Sequence, residues 1–235
     1  MIILACDTSN SSCCAGVFDN GKPLAYNIST EKRTHAEVVM PLLHDVVIMS
    51  GKTHEDIDAY AICVGPGSFT GIRIGISSVK GMSAASDKPC IAVSSTKALA
   101  MSVDNVVSDP TKTLIIPAFD ARNKRVFASV LNNATYDEVI SEGAYEADAL
   151  ASLLKDVVED KKVIVIGNGA ETLKEALDSK DIDAEYADGA IITPIGIDKA
   201  ARDRIAKEGN GVIVNAAEIT ASYCAVSSAE RYHNK

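Results

Sequence analysis

The sequence predicts a duplicated α/β fold, because its two halves repeat the same order of strand and helix patterns. Each half opens with three strand-like segments and continues with alternating helices and strands. A strand that ends in aspartate recurs, first in Ala5–Asn10 and again in Ala118–Asn123. A strand that ends in Gly-x-Gly also recurs, in Ile62–Gly67 and in Ile164–Gly169. Because both matches come in the same order, we expect two similar lobes with a ligand cleft between them.

In the first half, apolar alternation and turn residues define the elements in order. Asp19-Asn20-Gly21 is a hairpin turn signal, and Gly51 is placed to end the first helix. A Gly-Pro-Gly turn separates a strand from the second helix, and Ser95 is placed to cap the third. The predicted elements are strands Ile2–Cys6, Ser12–Phe18 and Pro23–Ser29, a helix His35–Ser50, a strand Ala59–Val64, a helix reaching Ser86, a strand Cys90–Val93 and a helix after Ser95.

The second half repeats this pattern, with weaker signals towards its end. Asn132-Asn133 marks its hairpin turn. We expect a first lobe of residues 1–108, completed by a C-terminal helix 216–235, and a second lobe of residues 109–215. The predicted elements are strands Thr113–Phe119, Arg125–Leu131 and Glu138–Glu142, a helix Ala147–Glu159, a strand Val163–Ile166, a helix from Ala170 and a helical tail from Ala200 that Asn210-Gly211 interrupts.

The segment Val64–Gly75 is the most informative stretch of the chain. Its Gly-Pro-Gly turn permits a tight bend and leaves backbone amides accessible to an anion or to another backbone. It is no P-loop, which needs a lysine followed by Ser or Thr at the helix start. It is no nucleophile elbow either, because Pro66 and Thr70 flank Ser68 where glycines are required. Two interpretations stay open, a phosphate site and a turn followed by close helix packing.

A phosphate cleft is one interpretation of the matching strand ends. Asp7 and Asp120 would face each other across the cleft, where carboxylates could hold a hydrated Mg²⁺ against the phosphates of ATP or ADP. The alternative is that both aspartates only accept hydrogen bonds from their own turns. The candidate cleft residues are Asp7, Ser9, Gly65, Gly67, Asp120, Gly167 and Gly169.

No bound metal is expected from the histidines of the first helix. His35 and His44 are nine residues apart, which places them on opposite sides of an α-helix. The residue four positions after His35 is Val39, which has no ligand atom.

The composition limits the classes of function. A net charge of -9 opposes unaided binding to nucleic acid, and the absence of tryptophan leaves few platforms for stacking bases. The sequence has no signal-peptide pattern and no apolar run of the roughly 20 residues that a membrane span needs. The six cysteines lack paired spacing. We therefore expect a reduced, cytoplasmic protein.

The first two helices have too little polar surface for an ordinary amphipathic helix. We expect each to be covered on one side by its own sheet and on the other by a partner; the alternative is deep burial in one core. Gly71 and Gly75 share a helix face, so that another group packs very close there. The expected interface residues are Val39, Met40, Leu43, Val47, Gly71, Ile72, Gly75, Ser78, Val79 and Met82.

These segments resemble the TsaB (YeaZ) family. The resemblance rests on Ile2–Ser9, on His35-x-Glu37 followed by Pro41, and above all on Gly65–Gly75. Asp120-Ala121-Arg122 extends it into the second half. It implies a duplicated ribonuclease-H-like or actin-like (ASKHA) fold, with two lobes of mixed sheets flanked by helices.

The resemblance also implies a role without catalysis by the chain itself. The family forms a complex with the catalytic relative TsaD and the ATPase TsaE, which adds a threonylcarbamoyl group to N6 of the adenosine next to the tRNA anticodon. It implies contact with tRNA only through the complex, a homodimer in isolation through the first two helices, and no membrane. No cofactor is required, although ATP or ADP with magnesium could lie at the cleft or in the complex. Val39 stands where the catalytic relative carries its second metal-binding histidine.

Other functions are weighed against this one. The main alternative is a stand-alone ATP-binding phosphotransferase or ATPase of the actin-like superfamily, which would use the two aspartates and the two Gly-x-Gly turns. The older label, glycoprotease-like, suggests a peptidase, but no Ser-His-Asp set or metal constellation is readable in the sequence. The family's Pro-x-Tyr-Leu-Arg-like C-terminal segment is reduced here to Tyr223. The contacts made by that segment are therefore not carried over.

Overall fold

The chain folds into two compact units. A computed structural model describes residues 1–30, 34–103 and 109–224. Unit 1 contains the described residues within 1–102 and 192–222, and unit 2 contains those within 103–191 and 223–224. The chain thus leaves unit 1, builds unit 2 and returns to unit 1.

Unit 1 is built on a mixed six-stranded sheet. Its strands are β1 (Ile2–Asp7), β2 (Cys13–Asp19), β3 (Lys22–Ser29), β4 (Ala59–Cys63), β5 (Cys90–Val93) and β11 (Ile213–Val214), and its helices are α1 (His35–Met49), α2 (Phe69–Ser86), α3 (Ser95–Ser102) and α6 (Pro194–Glu208). The sheet order is β11-β5-β4-β1-β2-β3. Strand β1 is apolar without alternation, which is typical of a strand covered on both faces. It pairs parallel with β4 and antiparallel with β2.

Unit 2 repeats this arrangement with five strands. Its elements are β6 (Thr113–Asp120), β7 (Arg125–Asn132), β8 (Glu138–Glu146), α4 (Ala147–Val158), β9 (Lys162–Ile166), α5 (Ala170–Asp178) and β10 (Ala184–Ala187). The sheet order is β10-β9-β6-β7-β8, with β6 parallel to β9 and antiparallel to β7. Strands β6, β9 and β10 therefore hold the places of β1, β4 and β5. The duplicated, actin-like α/β fold predicted from the sequence is confirmed.

The segment from Ala216 to Ser222 packs against one side of unit 1. Ala216 and Ile219 lie in the same hydrophobic core as Ile72 and Val79 of α2. The N–H of Ser222 donates a hydrogen bond to the carbonyl of Val64 at 2.8 Å. Part of the second cover expected for α2 therefore comes from its own chain.

The unit boundaries differ from those expected. Helix α6 and the segment that follows it pack with unit 1, whereas the sequence placed residues 109–215 together. Within the expected helix 216–235, only Ala216–Glu218 forms a single 3₁₀ turn, the next residues up to 224 are not helical, and residues 225–235 lie outside the described part of the chain.

Some elements have weak or contrary sequence signals and were not predicted. Strands β10 and β11 have only four and two residues. Helix α6 begins six residues earlier than predicted, because Pro194 and Gly196 disfavour helix interiors. Pro194 is tolerated in the first turn, and Gly196 allows close approach to α3, since an added Cβ would collide with the carbonyl oxygen of Ala98.

The cap of α3 also lies one residue earlier than expected. The N–H of Lys97 donates to the hydroxyl of Ser94 at 3.2 Å, so Ser94 caps the helix and Ser95 is its first residue. None of the described helices is both long and apolar enough to cross a lipid bilayer.

Candidate functional site

Other segments of unit 1 occupy the space around the Gly-Pro-Gly turn between β4 and α2. Gly65 has a φ angle of 116°, which favours glycine. Its carbonyl accepts a hydrogen bond from the N–H of Ser95 at 2.8 Å, and the N–H of Ser68 donates to the carbonyl of Ser9 at 2.7 Å. A Cβ atom added to Gly65 would lie 2.5 Å from the carbonyl oxygen of Ser222. Three other segments of unit 1, at Ser9, Ser95 and Ser222, therefore pack against this turn and occupy the space that an open anion site would need.

The next three glycines face the end of β1. A Cβ atom on Gly67 would collide with the carbonyl oxygen of Ser9, and one on Gly71 would collide with that of Thr8. A Cβ atom on Gly75 would collide with the Thr8 hydroxyl, which donates to the Gly71 carbonyl at 2.7 Å. These contacts support the interpretation of a turn followed by close helix packing. The neighbour of the two helical glycines is Thr8, the residue directly after β1 in the same unit.

Most of the residues expected at a partner interface belong instead to the core of unit 1. Five of them have side chains that are 2% exposed or less: Val39, Leu43, Val47, Ile72 and Val79. A partner cannot reach these side chains, nor Gly71 and Gly75, while the unit stays folded, and this corrects their assignment. Ser78 and Met82 are half-buried, and Met40 is 46% exposed. These three residues keep accessible surface.

An apolar outer face remains on α1. Met40, Ile48 and Met49 are 46%, 61% and 62% exposed. Met40, His44 and Ile48 follow one another at four-residue intervals, which places them on one side of the helix. Ile48 and Met49 were not among the expected interface residues. Apolarity alone could not reveal them, since buried and exposed positions of this helix carry the same residue types.

A groove of about 680 Å³ adjoins this outer face. Its lining comes from α1, from α2 and the residue Lys88 after it, from the 3₁₀ turn His54–Asp56 and from Tyr60 of β4. The lining residues are Met40, Leu43, His44, His54, Glu55, Tyr60, Met82, Ala85, Ser86 and Lys88. The imidazoles of His44 and His54 stack with ring centroids 6.2 Å apart. The Tyr60 and Ser86 hydroxyls are 3.0 Å apart. The groove thus combines apolar walls with a few polar groups, as binding grooves commonly do.

Asp7 is fully buried at the end of β1. Its Oδ1 accepts a hydrogen bond from the N–H of Ser9 at 2.9 Å, and its Oδ2 has no hydrogen-bond partner among the described residues. Burial raises the pKa of the Asp7 carboxyl, and hydrogen bonds from Ser9 and Cys63 oppose that shift only in part. Ser9 is buried as well, and its hydroxyl accepts a bond from Ser95 at 3.0 Å. Both residues have the contacts of turn residues, which favours the alternative to a cation site.

We expect Asp7→Asn to remove a pH dependence of stability. Because burial raises the folded-state pKa, the carboxyl favours folding fully below its unfolded-state pKa, and this contribution is lost as the pH rises through the folded-state pKa. The melting temperature of the variant should therefore rise relative to wild type as the pH approaches neutrality, as thermal unfolding across a pH series would measure. Asp198→Asn is the matched control. Burial also raises the pKa of the Asp198 carboxyl, but its oxygens lie 3.1 and 2.9 Å from Nε of Arg202. Asp198→Asn therefore leaves the Arg202 guanidinium without its partner, and it should destabilise at neutral pH. If Asp7→Asn also lowered the melting temperature at neutral pH, Asp7 would be an ionised group paired with a cation, which would contradict this prediction.

The corresponding residues of unit 2, Asp120, Gly167 and Gly169, also make their hydrogen bonds within their own unit. Asp120 is exposed at the end of β6, and its Oδ1 accepts a backbone N–H two residues further on at 2.8 Å. The N–H of Gly167 donates to the carbonyl of Ala187, and that of Gly169 donates to the carbonyl of Ala118, both at 3.0 Å. These two amides of the second Gly-x-Gly turn are thus engaged by neighbouring strands.

The histidines of α1 do not come together. His44 stacks on His54 of the following 3₁₀ turn, while His35 is the first residue of the helix. Within residues 1–30, 34–103 and 109–224, no group of three or more His, Cys, Asp and Glu side chains is arranged to hold a metal ion.

Comparisons with known proteins place these features in a family. A family model described as "TsaD: tRNA N6-adenosine threonylcarbamoyltransferase" matches residues 27–229. A Bacillus subtilis protein named tRNA threonylcarbamoyladenosine biosynthesis protein TsaB is 28% identical over 180 residues, which is 76% of each chain. The Escherichia coli protein of the same name is 26% identical over 205 residues, or 84% of each chain. The chain belongs to this family, and these relatives, which cover most of it, are named TsaB.

The fold of the TsaB relatives is shared over nearly the whole chain. YeaZ from Pseudomonas aeruginosa matches with a TM-score of 0.77 at 22% identity, over 94% of this chain and 99% of that one. A second crystal structure, of an uncharacterized protein with similarity to peptidase YEAZ from Pseudomonas aeruginosa, gives a TM-score of 0.78 at 23% identity and covers 95% and 99%. At such identities the likeness shows the fold alone. It includes the region between Arg122 and Tyr223, for which the sequence resemblance named no motif.

Proposed function

We propose that the chain is a non-catalytic subunit in the biosynthesis of threonylcarbamoyladenosine in tRNA, acting in the cytoplasm. Family membership and the names of the TsaB relatives support the pathway. The observation that carries the subunit role is the apolar outer face of α1 with its adjoining groove. Large apolar side chains that are exposed beside a groove favour an interaction site, because their contact with water is unfavourable.

The occupant of this face is a catalytic relative of the TsaD type. Met40 and Ile48 offer flexible and branched apolar side chains, and the groove beside them can receive side chains from a second helix pair. In the absence of that relative, a second copy of this chain would cover the same face as a homodimer. Recruitment of the ATPase TsaE then depends on the assembled pair.

The chain itself needs no nucleotide or metal in this proposal. A buried carboxyl with a raised pKa, such as Asp7, is a poor ligand for Mg²⁺, which prefers ionised and accessible oxygens. The turn at Gly65 is filled by Ser222 and Ser95, so phosphates would have to displace main chain. The residues of the proposed cleft therefore fit ATP poorly, and any ATP hydrolysis in the assembly is assigned to TsaE.

The overall charge of the chain supports contact with tRNA only within the complex. With a net charge of -9, the free chain repels the phosphate backbone. Binding of tRNA must therefore draw on positive charge from the other subunits, with at most a local contribution from this chain.

A reconstituted reaction tests the proposal. Purified TsaD, TsaE, tRNA and threonylcarbamoyl-adenylate are combined with and without this chain, and modified nucleoside is measured. We expect the chain alone to form no product and its addition to raise product formation at least about tenfold, the size of a typical coupling between subunits. Unchanged product formation would contradict the subunit role. ATP hydrolysis by the purified chain alone, abolished by Asp120→Asn, would favour the stand-alone ATPase instead.

A further inference from the structure

The hairpin that joins β6 to β7 has an unusual backbone. Arg122, Asn123 and Lys124 are three consecutive non-glycine residues with positive φ angles, of 62°, 55° and 58°. Such angles are uncommon outside glycine, and when they persist the surrounding structure must hold them in place. They cluster at sites where a particular presentation of side chains is useful.

Backbone hydrogen bonds fix this hairpin from both sides. The N–H of Arg122 donates to Oδ1 of Asp120 at 2.8 Å, and the N–H of Arg125 donates to the carbonyl of Arg122 at 3.2 Å. The carbonyl of Lys124 accepts the N–H of Ala147, the first residue of α4, at 2.9 Å. The hairpin is therefore a preorganised loop tied to a helix, and ordering it on binding has a small entropic cost.

This loop presents two uncompensated cations to solvent. Arg122 and Lys124 are exposed, and in the part of the chain that the structure describes neither has a carboxylate within ion-pair distance. Arg125 differs, because its Nε lies 3.9 Å from Oε1 of Glu146. The exposed Asp120 carboxylate accepts a backbone bond at the start of the loop and keeps its negative charge, so the two cations leave the loop with a local excess of positive charge. In a chain of net charge -9, two free cations two residues apart form a local site for an anion.

We propose that Arg122 and Lys124 contact backbone phosphates of the tRNA while the chain is held in its complex. This inference rests on the proposed function, which brings tRNA to the assembly. Arginine and lysine are the side chains that most often bind nucleic-acid phosphates, and they can do so without reading bases. A rigid loop with two cations is suited to bind one or two phosphates. The net negative charge of the rest of the chain opposes contact with more of them.

The test uses the complete assembly with TsaD and TsaE. Arg122→Glu combined with Lys124→Glu is compared with wild type for the KM of tRNA, for kcat, and for tRNA affinity over a series of salt concentrations. A milder double variant, Arg122→Gln with Lys124→Gln, guards against misfolding of the hairpin. The matched control is Lys112→Glu with Lys155→Glu, which changes the net charge equally at two other exposed lysines of unit 2.

We expect the charge-reversed loop to raise the KM of tRNA about tenfold with kcat unchanged. The slope of log affinity against log salt should fall by about 1 for each lost phosphate contact, so by about 2 in the double variant. The glutamine variant should show a smaller change in the same direction, and the lysine control should show little change. Gel filtration should show a fully assembled complex for every variant.

Several results would overturn the proposal. Failure of the loop variants to assemble, with a control that assembles, would mean that the loop binds a protein partner. An unchanged KM and salt slope would mean that no phosphate contact exists. If the wild-type assembly forms no modified nucleoside, the proposed function fails. The loop is then tested by tRNA affinity alone, and equal affinities of the wild-type and variant assemblies would overturn the proposed phosphate contacts.

Discussion

Gly71→Ala should destabilise the chain by about 3 kcal/mol, whereas Gly81→Ala in the same helix should stabilise it by up to about 1 kcal/mol. A Cβ atom on Gly71 meets the carbonyl oxygen of Thr8, a backbone atom of the residue directly after the central strand β1. It cannot rotate away, so α2 or β1 must shift. A Cβ atom on Gly81 meets nothing within 4 Å. Only the gain in helix propensity remains there.

The comparison is made by urea unfolding of both variants, followed by far-ultraviolet circular dichroism. Since the two substitutions add the same methyl group to the same helix, helix propensity cancels and the difference reports the packing of α2 on β1. Equal stabilities would mean that α2 can move away from β1 at little cost. The side of α2 that carries Gly71 and Gly75 would then again be a candidate interface for a partner.

Gly71 and Gly75 show which part of the packing of α2 could be predicted from the sequence. The four-residue spacing of Gly71 and Gly75 correctly predicted that something packs very close to α2. It could not show that the neighbour is Thr8 of the same unit, because close approach requires glycine whether the neighbour is internal or external. The repeated strand order was readable since each strand keeps its own pattern of apolar residues.

Other features could not be read because they depend on contacts distant in sequence. The return of α6 to unit 1 depends on its packing with α3, almost a hundred residues earlier. The closing of the Gly65 turn by Ser222 joins segments still farther apart. On α1, Leu43 and Ile48 are both apolar, and only the position of the sheet decides that one is buried and the other 61% exposed.

Ile48→Asp should weaken binding of the catalytic subunit about thirtyfold while the isolated chain stays folded. The exposed position tolerates a charge in the free chain, where the change in stability should stay within about 0.5 kcal/mol. In the complex the carboxylate would be desolvated against apolar surface, and a central interface residue commonly contributes about 2 kcal/mol or more. Titration calorimetry with purified TsaD measures the change.

The matched control is Leu153→Asp on α4 of unit 2. Leu153 is 45% exposed and apolar, but it lies outside the proposed docking face. It should bind TsaD as wild type does. Equal weakening by both substitutions would indicate a general effect of charge, and no weakening by Ile48→Asp would remove α1 from the interface. Sedimentation of the chain alone should also show less self-association for Ile48→Asp, because the proposed homodimer uses the same face.

The central claim is that the chain is required for threonylcarbamoyladenosine synthesis through docking, without catalysis of its own. The most direct measurement is the content of this nucleoside in tRNA hydrolysates from cells depleted of the protein and supplied with wild type, Ile48→Asp or Asp7→Asn. We expect loss of the nucleoside on depletion, restoration by wild type and by Asp7→Asn, and no restoration by Ile48→Asp. Unchanged nucleoside content after complete depletion, or loss of function with Asp7→Asn alone, would contradict it.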